Sequence, residues 1–204
     1  MDKDYELLAS DTISDGFFEL QRHRLRHTRF AGGWCDEIVR ERIERLAAVS
    51  VLLYDPEADV IVLVEQFRVG LMGQVSPPWT TETVSGFCDI AHETPEDVAR
   101  REVREETGCE LLALTHIGEF FVSPGMSVEC INLYCGRVDS TRADGIHGLD
   151  HEGEDIRVVK LPRSEAVNAL FGRLNTTSIV MALQWLELNR DVLLAQWDFQ
   201  SPQR

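Results

Sequence analysis

The chain has 204 residues, 44% of them hydrophobic, enough to bury one good core with a small appendage. Its 35 acidic and 20 basic residues give a formal charge of −15, which excludes the basic surface that a nucleic-acid partner requires. No apolar run is long enough to span a membrane, the polar start from Met1 to Tyr5 is not a signal peptide, and Cys35, Cys88, Cys109, Cys130 and Cys135 form no C-x-x-C pair. These features predict a cytoplasmic protein with reduced thiols and argue against zinc. An acidic protein still binds an anionic nucleotide where metals and local arginines reverse the sign at the site.

Along the chain, β signals come first. Gly16, Phe17 and Phe18 open an extended stretch that runs to Phe30. Ala31, Gly32 and Gly33 then turn it into residues 34–43, giving an N-terminal hairpin or small sheet within residues 1–44. Arg22, Arg24 and Arg26 alternate and so share one strand face, expected to be solvated or at an interface, with phosphate binding as the other use. Residues 45–204 read as the main domain. Apolar runs at 46–54 and 60–66 flank a turn at 55–59, and a short strand at 82–85 leads into Gly86. After a helix come strands at 114–122, 130–138 and 155–161, then closing helices at 164–171 and 178–192. The class is α+β, a mixed sheet flanked by helices.

The most informative segment is the helix. Thr94 is a natural N-cap, Pro95 suits the first helical position, Asp97 completes a capping box, and Gly108 is placed to stop the helix with a positive φ. Glu102, Glu105 and Glu106 follow at i, i+3 and i+4, within an arc of about 100°. Ala99 and Val103 continue toward a buried stripe, although Val98 falls among the acids one turn earlier. Like charges at this spacing repel by about a few tenths of a kcal/mol per pair. A generic acidic cluster is a solvated helix face; one retained at a cost points to a bound cation. Mg²⁺, with Mn²⁺ as a substitute, is the hard oxygen-seeking choice.

The register of Glu93, Arg101, Glu102, Glu105, Glu106 and Gly108 resembles the signature box of the Nudix hydrolase family. Two departures stand out. Gly86 lies seven positions before Glu93 rather than six, so the loop holds one extra residue, and the last apolar position of the box is Cys109. Further segments resemble the branch of that family that hydrolyses ADP-ribose. They include Gly16-Phe17-Phe18, Glu65-Gln66-Phe67-Arg68, Pro78-Trp79, Ser123-Pro124-Gly125, Gly145 to Leu149, Glu152 to Arg157, and Ala182 to Leu186.

That resemblance implies a Nudix fold with an N-terminal antiparallel β segment exchanged in a homodimer, and Mg²⁺-dependent hydrolysis of ADP-ribose to AMP and ribose 5-phosphate. It implies metal ligation by Glu102, Glu106, Glu154 and the carbonyl of Ser85, with Glu105 a weaker ligand. It also implies that Glu152 accepts the proton of the attacking water; by pKa alone its neighbour His151 is the alternative base. Substrate contacts carried over the same way are Phe17, Phe18, Arg40, Glu41, Arg45, Arg68, Ser123 and Glu129. An arginine's planar fork suits phosphate and an aromatic face suits adenine, whereas Phe17 and Phe18 read without the resemblance would be core residues. Hydrolysis of another nucleotide sugar such as GDP-mannose is the nearest alternative. A module that senses ADP-ribose without cleaving it would lack box glutamates or carry a DNA-binding domain, and this sequence shows neither.

Overall fold

The computed structural model describes residues 3–45 and 47–198. Near the N-terminus, β1 (Tyr5–Asp15), β2 (Glu19–His27) and β3 (Ile38–Glu44) form an antiparallel sheet in that order. The small sheet was expected, but β1 was not. Gly16, Phe17 and Phe18 lie between β1 and β2 rather than opening a strand. The cause is local: nearly every β1 residue is exposed, so burial imposes no alternation that a reader of the sequence could detect. The arginine stripe meets carboxylates on or next to the neighbouring strands. Arg22 pairs with Glu41 at 2.8 Å, Arg24 with Glu37 at 2.6 Å and Arg26 with Glu6 at 2.6 Å, in agreement with a solvated face.

Among the described residues, those up to 47 form one compact unit together with 121–130, and the others form a second. The first unit is tied by backbone bonds in which Ile43 N–H donates to Met126 O at 2.9 Å and Val128 N–H donates to Ile43 O at 3.2 Å.

The second unit is built on β4 (Ala48–Asp55), buried at every position, and β5 (Val60–Phe67). Around them lie β6 (Trp79–Glu82), β7 (Val84–Phe87), β8 (Ala113–Phe121), β9 (Cys130–Arg137), β10 (Ile146–His147) and β11 (Ile156–Pro162). The strand order is β10-β11-β5-β4-β9-β8, with β6 on β5 and β7 on β4. β4 runs parallel to β9 and antiparallel to β5 and β7, so the sheet is mixed, as expected. Period-2 alternation divides its core between two faces. Leu52, Tyr54, Ile61, Leu63, Leu133 and Cys135 pack with Ile179, Leu183 and Leu186 of α3 (Thr177–Gln196). Val49, Val51, Leu53, Val62, Val64 and Val84 pack with Val98, Ala99 and Val103 of α1 (Pro95–Thr107). Val98 therefore joins the core despite its place in the acidic arc.

Three boundaries differ from the sequence expectations. The strand at 82–85 is two strands broken at Thr83, whose buried hydroxyl meets that of Ser50 at 2.7 Å. The first closing helix, α2 (Arg163–Asn168), stops early, and Phe171 takes a φ of 61° that no helix continues. The two-residue β10 is too short to leave a pattern. Among the described residues, no helix is long and apolar enough to cross a membrane.

The start of α1 is built as its residues predict. Asp97 N–H donates to Thr94 Oγ1 at 3.2 Å, Thr94 N–H donates to Asp97 Oδ2 at 3.0 Å, and Gly108 closes the helix at φ 68°. Thr94→Ala should lower unfolding stability by about 1 kcal/mol, read as a shift in urea midpoint at constant slope.

Candidate active site

The glutamates of α1 are held differently although the helix presents them together. Glu106 is 2% exposed, and its carboxylate accepts one long hydrogen bond, 3.4 Å, from the Ser85 N–H of β7. Glu102 lies against Gly86, where an added Cβ would stand 1.9 Å from Glu102 Oε1. Glycine at 86 thus admits the Glu102 side chain in its present position, and a larger residue there would displace it. Gly86 pairs with Val49 inside β7, so the extra residue lengthens only the loop leading to α1.

These carboxylates repel one another. Burial pushes Glu102 up to about 7, with Glu105 and Glu154 adding to the rise and Arg101 opposing it. Burial also raises Glu106 well above its ordinary value, and Glu102 and Glu154 add to the rise against Arg68 and the Ser85 N–H. One buried and two partly buried carboxylates that act on one another's charge are donors suited to a hard divalent cation. Among the described residues no three His, Cys, Asp or Glu side chains are gathered as a finished ligand set. Glu102 is turned to Arg101 at 2.7 Å, and Glu154 accepts the Leu149 N–H at 3.1 Å.

Arg101 organises the acidic face of α1. Besides Glu102 it pairs with Glu93 and Glu105, both at 3.2 Å, and lies 3.6 Å from Asp89. Glu102 and Glu105 are thus both engaged by a cation of the chain itself. Arg68 binds Glu82 through two bonds to one oxygen, Nε at 3.0 Å and Nη2 at 2.8 Å. Sequence reasoning passed over Glu82, because its pairing depends on the β5–β6 register.

The loop carrying Glu152 and Glu154 is anchored to the end of α1. Gly148 N–H donates to Glu105 O at 3.3 Å. At Gly148, with φ 102°, a Cβ would stand 2.7 Å from Glu154 Cβ, so glycine lets the loop fold over that side chain. Glu152 ends a 3₁₀ turn, Asp150–Glu152, closed by Gly153 at φ 70°, and its side chain is 55% exposed. His151 Nε2 lies 3.7 Å from the Glu152 carboxylate.

The other expected substrate residues belong to the first unit. Phe17 and Phe18 meet edge to face at 4.7 Å and are 85% and 40% exposed, so neither is a core residue. The Arg45 guanidinium lies 4.9 Å over the Phe18 ring and 3.2 Å from Glu129. Phe17, Phe18, Arg45 and Glu129 therefore form one cluster. Arg40 and Glu41 do not join it through the contacts seen: Arg40 donates to Val39 O at 2.7 Å, and Glu41 holds Arg22. The Ser123 carbonyl accepts the Met126 and Ser127 N–H groups and closes the Pro124-Gly125 turn.

Comparison with known proteins matches residues 44–174 to the model of the NUDIX domain. The chain is 41% identical over 199 residues to the ADP-ribose pyrophosphatase of Haemophilus influenzae, covering 96% of this chain and 91% of that protein. It is 32% identical over 194 residues to the GDP-mannose pyrophosphatase of Cronobacter sakazakii, covering 92% and 97% respectively. A crystal structure of an ADP compounds hydrolase superposes with a TM-score of 0.70 at 20% identity, covering 94% of this chain and 95% of that one, a likeness of fold.

Proposed function

The chain belongs to the Nudix family, and from that premise we propose that it hydrolyses the diphosphate of ADP-ribose to AMP and ribose 5-phosphate with Mg²⁺, or Mn²⁺ in its place. The observation that carries hydrolysis is Glu106, a carboxylate 2% exposed that Glu102 and Glu154 disfavour further. Such a group is stable as an anion only beside a cation. The choice of ADP-ribose is supported by relatives of that name at 40–41% identity, against 31–32% for those named GDP-mannose pyrophosphatases.

In this reading Glu102, Glu106, Glu154 and the Ser85 carbonyl hold the metal, and Glu105 contributes less. The bound cation offsets diphosphate charge and lowers the pKa of a water molecule. Glu152 accepts that water's proton, a part its exposure and its place before Gly153 leave it free to play. Arg68 donates to the diphosphate. Phe17 and Phe18 flank the adenine, with Arg40, Glu41 and Arg45 beside them, and Ser123 and Glu129 face the terminal ribose.

The protein acts as a homodimer in the cytoplasm, with the N-terminal sheet of residues 1–44 exchanged so that each site draws on both chains. Support comes from the apolar side chains this sheet leaves uncovered: Tyr5 is 71% exposed, Leu7 52% and Val39 49%. Deleting residues 1–44 should give monomer or aggregate with little activity. A soluble, fully active monomer on a sizing column would refute the exchange. Hydrolysis of GDP-mannose is the second reading. Incubation with a panel of nucleotide sugars and Mg²⁺, with products identified by mass, decides between them. AMP and ribose 5-phosphate should dominate, and faster release of GMP and mannose 1-phosphate would overturn the first reading.

A further inference from the structure

We propose that Glu82, which sequence reasoning passed over, is a positioning residue that sets the direction of Arg68 for the substrate's diphosphate. The inference rests on the role given to Arg68 above. Arg68 follows β5 and its N–H donates to Pro78 O at 3.0 Å, so it stands opposite Pro78, just beyond the Phe67–Trp79 pair. Glu82 is the last residue of β6, opposite Val64. Successive residues of a strand point to opposite faces, so Val64, Gln66 and Arg68 share a face with Pro78, Thr80 and Glu82. Gln66 and Thr80, between the two charged residues, are 7% and 8% exposed. Arg68 and Glu82 thus meet across a buried stretch of the hairpin rather than in open water.

The geometry of the pair is specific. One oxygen of Glu82, Oε2, receives both Nε and Nη2 of Arg68, at 3.0 and 2.8 Å. That leaves Nη1 and the second hydrogen of Nη2 for another acceptor. The Glu82 side chain is 14% exposed and that of Arg68 41%, so the anchor is covered and the guanidinium still reaches solvent. Glu106 and Glu154 both act on the charge of Arg68, which places it in the field of the proposed metal carboxylates. A guanidinium on a three-methylene linker loses rotamer freedom when it binds phosphate. Glu82 has already imposed that loss, and it keeps Arg68 from collapsing onto Glu106 or Glu154.

The test uses the full-length protein with ADP-ribose and saturating Mg²⁺. Glu82→Gln keeps the shape but removes the charge that holds both donors. KM should rise at least tenfold while kcat stays within about threefold. Arg68→Ala should raise KM at least as much, and the Glu82→Gln, Arg68→Ala double variant should be no worse than Arg68→Ala alone, because Glu82 acts only through Arg68. A residue that merely supported the hairpin would lower melting temperature and leave KM in place. An unchanged KM in Glu82→Gln, or losses that multiply in the double variant, overturns the proposal. Should Glu82→Gln fail to fold, Glu82→Asp is read instead: its carboxylate is one methylene short, and a parental KM there counts equally against the proposal. Parent activity is measured first. If the parent cleaves GDP-mannose and not ADP-ribose, the assigned substrate falls, and the same comparison on GDP-mannose still decides for or against Glu82.

Discussion

Replacing Glu106 by Gln should remove most hydrolysis at every Mg²⁺ concentration, yet leave a folded protein that is at least as stable as the parent without metal. Glutamine preserves size and helix propensity, and Glu106 is 2% exposed, so the helix and its packing lose only the charge. In the parent that charge is opposed by burial and by Glu102 and Glu154, with Arg68 and one long bond from Ser85 N–H to offset it. The sign of the pH dependence follows. The folded carboxylate takes up its proton well above the ordinary 4.5, so the folded chain binds more protons than the unfolded one above that value. The contribution of Glu106 to the stability of the metal-free parent is therefore fully present below its ordinary value and is lost as pH rises through the elevated folded value. Glu102, raised to about 7, adds to the same slope. Melting in excess chelator at about pH 5 and about pH 8 should show a smaller decline for Glu106→Gln than for the parent. Added Mg²⁺ should raise the melting temperature of the parent at the higher pH and that of the variant far less. Near-normal hydrolysis by the variant across a Mg²⁺ titration would eliminate Glu106 as a ligand.

What could be read from the sequence, and what could not, follows the range of the interactions. The helix start at Thr94, its stop at Gly108 and the spacing of Glu102, Glu105 and Glu106 are set within a turn or two of chain, and all stand as read. The two apolar runs around residues 55–59 became β4 and β5 because burial on both faces leaves a continuous apolar signature. β1 left no such mark, since it is exposed along almost its whole length. Glu82 reaches Arg68 only through the register of the β5–β6 hairpin. The joining of residues 121–130 to the N-terminal unit depends on the bonds of Ile43 to Met126 and Val128, which no local pattern announces. Glu102 and Glu105 share Arg101, at 2.7 and 3.2 Å, whereas Glu106 is turned inward to the Ser85 N–H, a division that helix spacing alone does not reveal.

Glu152→Gln should lower the maximal rate by about 10²–10⁴-fold, the usual contribution of a general base, while binding ADP-ribose nearly as tightly as the parent. The two parts of that expectation have different causes. Glu152 is 55% exposed and its recorded ionic neighbour is His151 at 3.7 Å, so its loss costs the fold little. It stands between a 3₁₀ turn and Gly153, whose φ of 70° suits glycine, so small backbone rotations can bring the carboxylate to the water. Glu154, two residues on, is packed beneath Gly148, accepts the Leu149 N–H and acts on Glu102 and Glu106. Glu154→Gln should therefore weaken the dependence on Mg²⁺ as well as the rate. His151→Ala should be mild, because the 77% exposure of that ring gives it no fixed direction. All three variants are compared at saturating Mg²⁺, with ADP-ribose binding measured by calorimetry in Ca²⁺, which takes oxygen ligands without supporting the step if Mg²⁺ geometry is required. If His151→Ala is the severe lesion and Glu152→Gln keeps more than a tenth of the rate, the proton goes to His151, and the exposed carboxylate beside it serves only to hold that imidazole.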